Sequence, residues 1–145
     1  MTRSGDTKCL FCSISKGNTD AFRVFKDDST LCFLDKRPLF PGHCLLIPTV
    51  HIETLNDLDQ ETLGTIFRNL QLINRAVEKA MEAEGTFVAI NNRISQSVPH
   101  LHIHIVPRRK KDGLKGFFWP RNPYRDDKHM RDTGKKIKKV IKQLC

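Results

Sequence analysis

His100, His102 and His104 stand at alternate positions in the run His100-Leu101-His102-Ile103-His104. In an extended strand, residues two apart share a face, so three imidazoles line one side while Leu101, Ile103 and Ile105 turn to the other. Imidazole titrates near neutrality, and one of its nitrogens can attack phosphorus while the other is held in a fixed tautomer. The spacing therefore suits nucleophilic transfer at phosphorus. The alternatives are a metal site built from all three histidines, or an exposed polar face. His43 lies on another short strand and joins the same surface if the two strands meet. Cys9 and Cys12 form a second group: a pair three positions apart is redox-active, metal-bound or simply buried, and spacing alone does not choose.

The elements that must position these groups read as short, turn-bounded strands and one long helix. Asn18-Thr19-Asp20 is a turn, followed by strands from Phe22 to Phe25 and from Leu31 to Leu34. Pro38, Pro41 and Gly42 break the chain before a third strand, His43 to Ile47, which Pro48 is expected to stop. From Asp59 to Gly85, Leu63, Ile66, Phe67, Leu70, Ile73, Val77, Ala80 and Met81 recur at mostly three- and four-residue spacings. That is one amphipathic helix, with Asp59 as its cap and Gly85 at its end. Strands follow from Thr86 to Ile90 and from Leu101 to Val106, separated by the polar run 91–97. Sequential strands are often neighbours, so antiparallel pairing is expected, with that run beside the histidines. Met130, Ile137, Val140, Ile141 and Leu144 line one face of a short C-terminal helix whose start Gly134 weakens. The expected fold is α+β: an antiparallel sheet of about five strands, one long helix and a short C-terminal helical extension.

A chain of 145 residues suits one compact domain. Residues 1–107 form the body, and residues 108–145 are read as a basic extension of the same domain. The extension holds 14 Lys and Arg against 4 Asp and Glu, so the net charge of +9 arises there. Such a tail attracts anionic partners without specifying which. No stretch approaches the roughly 20 apolar residues of a membrane span, which argues against a transmembrane segment and against secretion. Five cysteines are an odd number in a chain able to bury its own core, which fits a reducing compartment: the cytoplasm, or the nucleus.

The segment Gln96-Ser97-Val98-Pro99-His100-Leu101-His102-Ile103-His104-Ile105-Val106 closely resembles the signature of the histidine triad (HIT) nucleotide hydrolases and transferases. Cys9-Leu10-Phe11-Cys12, Phe33-Leu34-Asp35, Pro41-Gly42-His43 and Pro48-Thr49-Val50-His51 stand in the family order, so the resemblance covers roughly residues 9–107. It implies a HIT-like fold and a catalytic group of His102, His104, His43 and Ser97. His102 would attack the α-phosphate, and the resulting nucleotidyl-histidine would be hydrolysed by water. His43 and His104 would polarise phosphate oxygens. Asp35 would accept hydrogen bonds from the ribose hydroxyls, Asn91 or Asn92 would supply an amide near the phosphate, and Gln96 and Ser97 would contact the phosphate or leaving group. Ser95 stands where relatives often have glycine. The resemblance further implies a structural zinc ion held by Cys9, Cys12, His51 and His100, separating the three histidines by role.

The implied reaction is hydrolysis of a nucleoside 5′-phosphoryl compound, an adenosine phosphoramidate or a dinucleoside polyphosphate. The implied partners are a small adenosine-containing nucleotide and a second copy of the chain, with residues 113–120 crossing toward it or bordering its site. Two other readings stay open. One is a repair enzyme that removes adenylate from nucleic-acid ends, the basic tail following the backbone and Phe117, Phe118 and Trp119 stacking on bases. The other is a non-catalytic nucleotide-binding scaffold. Intact His102 argues against the scaffold, and the lack of an evident nucleic-acid-binding motif weakens the repair reading.

Overall fold

The computed structural model describes residues 8–114 and 121–145, so Phe117, Phe118 and Trp119 lie outside the described residues. Two compact units are present, one ending at Asp112 and the other beginning at Gly113. The first contains a short helix α1 (Leu10–Ser15), strands β1 (Arg23–Lys26), β2 (Thr30–Leu34) and β3 (Cys44–Pro48), the long helix α2 (Gln60–Ala80), and strands β4 (Gly85–Ile90) and β5 (Ile103–Arg108). The five strands form one antiparallel sheet in the order β1-β2-β3-β5-β4. This is the α+β arrangement, one antiparallel sheet of five strands with one long helix, expected from the residue pattern.

Alternation along the strands divides the core between the two sheet faces. Cys32, Cys44, Leu46, Ile103 and Ile105 pack with Ile66, Ile73 and Val77 of α2. Leu31, Phe33, Leu45 and Ile47 pack with Phe11 and Ile14 of α1 and with Cys9 and Cys12. Leu45 is directly opposite His104 across the β3–β5 pair, so the α1 face is the one His104 shares. The apolar stripe of α2 is wider than the sheet covers: Leu63 and Phe67 are both about two-fifths exposed.

The end of α2, the end of β3 and the start of β5 each have a local cause. Asp59 caps α2 by accepting from the Thr62 amide at 2.7 Å, but the helix stops at Ala80 rather than Gly85. Glu82 takes the left-handed conformation, φ 51°. The Glu82 amide donates to Lys79 O and the Ala83 amide to Glu78 O, which closes the helix as a Schellman motif and leaves Gly85 to open β4. β3 ends at Pro48 as expected, with the proline itself as the last strand residue, opposite Thr30. β5 begins at Ile103, because the Leu101 amide is drawn to the Ile52 carbonyl, at 2.6 Å, instead of into the ladder. Of the three histidines, only His104 lies on the strand itself.

In the second unit, α3 (Asp127–Leu144) is capped by Asp126, which accepts from the His129 amide, and it runs through Gly134. Lys128 and Asp132 pair at 2.7 Å one turn apart. Met130, Ile137, Val140, Ile141 and Leu144 are each about half exposed or more. Among the described residues, no helix is long and apolar enough to cross a membrane.

Candidate active site

His102 is 4% exposed, so the histidine face is a covered surface rather than an open one. Phe11 of α1 packs edge-on against its ring, with centroids 5.0 Å apart, and also against Phe33 at 5.5 Å. His102 Nδ1 lies 2.8 Å from the carbonyl oxygen of His100. A carbonyl only accepts, so the Nδ1 nitrogen carries the proton and the Nε2 nitrogen keeps its lone pair. His104 adjoins His102, with centroids 5.0 Å apart, and its Nδ1 lies 2.9 Å from Nε2 of the buried His43. Asp35, just past β2, brings a carboxylate oxygen to 3.7 Å from His43 Nε2. Burial lowers the His43 pKa, with Asp35 opposing that shift. Burial, followed by the charges of His102 and His43, holds His104 down to about 4. Both are therefore neutral near pH 7.

All of these side chains but that of His43 line a cavity of about 380 Å³. Asp35, Ser97, His102 and His104 are among its polar lining residues, and Leu10, Phe11, Ile14, Ala21, Phe33 and Leu45 supply apolar walls. An apolar slot ending in a few convergent polar groups is the usual form of a site for a flat, partly polar small molecule.

A second cluster lies behind the histidines. Donor atoms of Cys9, Cys12, His51 and His100 all fall within 4.8 Å of one another. His100 Nε2 is 2.9 Å from the Pro48 carbonyl, so it donates there and turns an Nδ1 lone pair toward the two sulfurs. The sulfur–nitrogen separations are 3.4 Å for Cys9–His100, 3.5 Å for Cys12–His100 and 3.3 Å for Cys12–His51. Thiolate sulfur and imidazole nitrogen at two corners of one metal tetrahedron are about 3.5 Å apart. The Cys12 amide also donates to the Cys9 sulfur at 3.4 Å. The four residues thus fit a four-coordinate metal ion.

A family model of the HIT domain matches residues 16–111, well over half of the chain. The chain belongs to the HIT family. It is 35% identical over 108 residues to adenylylsulfatase HINT3 of Arabidopsis thaliana, covering 73% of this chain and 55% of that relative. It is 34% identical over 136 residues to adenosine 5′-monophosphoramidase hnt1 of Schizosaccharomyces pombe, covering 92% and 98% of the two chains. A zinc-bound histidine triad family protein from Mycobacterium smegmatis superposes with a TM-score of 0.71 at 36% identity, covering 87% of this chain and 91% of that one. The histidine cluster found here is consistent with the nucleotide hydrolase and transferase activity of HIT proteins.

Within this HIT frame, the other residues singled out from the sequence divide. Ser97 lines the cavity, whereas Asn91, Asn92 and Gln96 are not among the described lining residues. Asn92 Oδ1 accepts the Leu55 amide at 2.9 Å. Gln96 accepts the Arg93 amide and donates to the Glu53 carbonyl. Both side chains hold the 91–97 loop in its shape. Ser95 has φ 57°, the left-handed region where glycine is unstrained. The residue pattern did not mark Phe11, Lys36 or Arg37 as lining residues of the site. Phe11 sits between the two cysteines of the metal-ligating pair, and that placement was the available signal.

Proposed function

We propose that the protein hydrolyses a nucleoside 5′-phosphoryl compound, an adenosine phosphoramidate or a dinucleoside polyphosphate, through a nucleotidyl-His102 intermediate. The observation that carries this reading is the hydrogen bond between His102 Nδ1 and the His100 carbonyl. It directs the unprotonated Nε2 to act as nucleophile. In the first step Nε2 forms a bond to the α-phosphorus as the bond to the leaving group breaks, an amine departing with a proton taken up from solvent and a phosphate departing as its anion. In the second, water attacks the same phosphorus, the P–N bond breaks, and Nε2 recovers its lone pair. Splitting the transfer in two makes a good nucleophile also serve as a good leaving group. Hydrogen-bond donation from the neighbouring histidines and Ser97 suits the charge that builds on the phosphoryl oxygens. The apolar walls suit a base, and Asp35 suits the ribose hydroxyls. Two relatives, an adenylylsulfatase and an adenosine 5′-monophosphoramidase, support adenosine in the substrate.

We assign zinc to the Cys9, Cys12, His51 and His100 group, because two thiolates and two imidazoles in a four-coordinate set suit zinc over harder cations. With all four positions filled by protein, the ion supplies stability: it ties α1 to the segments around His51 and His100. Incubation with adenosine 5′-phosphoramidate, diadenosine tetraphosphate and adenylyl sulfate tests the reaction class. Release of AMP from at least one is expected; release from none contradicts the proposal.

A further inference from the structure

We propose that the backbone amide of Leu39 is a positioning group that sets the proton order of the His43–His104 pair and so makes His104 a hydrogen-bond donor. The Leu39 nitrogen lies 3.1 Å from His43 Nδ1. A backbone amide can only donate, so the Nδ1 nitrogen must present a lone pair. Neutral His43 then carries its proton on Nε2, which lies 2.9 Å from His104 Nδ1. Two donors or two lone pairs cannot share that distance, so His104 Nδ1 accepts and the proton of His104 resides on Nε2. A second observation points the same way: the Asp35 carboxylate, 3.7 Å from His43 Nε2, favours a proton at that nitrogen. One amide thus orders two rings, and each bond in the chain polarises the next.

The amide is held in place by its own loop. The Arg37 amide donates to Asp35 Oδ1 at 2.9 Å, the Asp35 amide to the His43 carbonyl, and the His43 amide to the Phe40 carbonyl. The segment between β2 and β3 therefore folds back on the ring that it orders. The Leu39 side chain is half exposed, so the role belongs to the backbone rather than to the leucine. The same bond bears on the grouping of Asp35, His43 and His104, three donors within 4.8 Å of one another. A cation bridging them would need lone pairs at both His43 Nε2 and His104 Nδ1. The His43 proton would then face the Leu39 amide, donor against donor. The cluster is built as a proton-ordered pair instead of a metal site.

What His104 Nε2–H donates to rests on the functional reading above, a phosphoryl oxygen of the substrate; the proton order itself does not. Long-range proton–nitrogen correlation spectra of the full-length, nitrogen-15-labelled protein at neutral pH report the tautomer of each ring. The expected pattern is Nε2–H for both His43 and His104. An Nδ1–H tautomer at either ring overturns the proposal, whether or not the protein hydrolyses anything. Leu39→Ala keeps the amide and should keep the pattern. Leu39→Pro removes it, and should mix the His43 tautomers and put kcat for adenosine 5′-phosphoramidate about tenfold or more below that of Leu39→Ala. Equal tautomers and equal kcat in the two variants would count against the inference. An amide-to-ester replacement at Leu39 repeats the comparison should proline disturb the loop. Absence of turnover in the wild type sinks the functional reading and leaves the spectra to decide the proton order.

Discussion

The carbonyl of His100 holds the ring of His102, at 2.8 Å from Nδ1, while the ring of His100 itself enters the four-donor cluster with Cys9 and Cys12. One residue therefore links the four-donor cluster to the proposed nucleophile: its side chain belongs to the first and its backbone orients the second. A disturbance on the metal side should reach the cavity through this segment.

Replacing Cys9 by Ala removes one of four donors and the sulfur that accepts the Cys12 amide. Bound zinc should be lost, as read by elemental mass spectrometry. Turnover should fall by about tenfold or more, because the His100 ring, though still bonded to the Pro48 carbonyl, loses the hold of the cluster on its other nitrogen and places its own carbonyl less firmly. A variant that keeps stoichiometric zinc, or one that loses zinc with unchanged turnover, would break the proposed link.

Protonation of His104 gives the acid behaviour a definite window. Burial and the neighbouring His102 and His43 hold its pKa at about 4 in the folded protein, against about 6.5 in an unfolded chain. Between those values the unfolded state binds more protons than the folded state. Stability is therefore lost as pH falls through this interval, levels off below about 4, and is not affected by this group above about 6.5. The ring resonances of His104 should titrate near 4, and His104→Asn should show a shallower decline in urea midpoint over that interval. A His104 midpoint near the ordinary imidazole value would refute this account.

Gly42 precedes His43 with φ 96°, and a Cβ there would lie 2.6 Å from Met81 Cγ and 3.3 Å from Pro107 Cγ. Gly42→Ala must adopt a strained backbone and push the Met81 side chain aside. A loss of about 2 kcal/mol in urea unfolding is expected, together with reduced turnover as His43 shifts. Stability within about 0.5 kcal/mol of wild type would show that the turn relaxes freely.

Much of this architecture was legible because it is local. Apolar runs between turn residues located all five strands, and Asp59 marked the start of α2 through a cap that the structure contains. The end of α2 was misplaced because Glu82, rather than a glycine, takes the left-handed position. Helix α1 was not anticipated. Six residues are too few for a periodic signal, and its stability comes from Phe11 and Ile14 packing against distant strands. For the site, alternation brought out the three histidines but not their separation into a cysteine-facing and a cavity-facing set, since that depends on the Pro48 carbonyl holding the His100 ring and the Ile52 carbonyl drawing the Leu101 amide out of the ladder. Residues 39 and 91 positions apart meet in the donor cluster, and no local spacing encodes such meetings; the family motifs did.

The nucleophilic role of His102 is tested most directly by rapid quenching of the protein with adenosine 5′-phosphoramidate, followed by peptide mapping at alkaline pH, where phosphorus–nitrogen bonds survive. One adenylyl group should appear transiently on the peptide that contains His102 and map to that ring. His102→Ala should fold, bind nucleotide, form no adduct, and turn over about 10⁴-fold or more slowly. Wild-type turnover by a folded His102→Ala protein, or an adduct mapped to a different residue, would contradict the account.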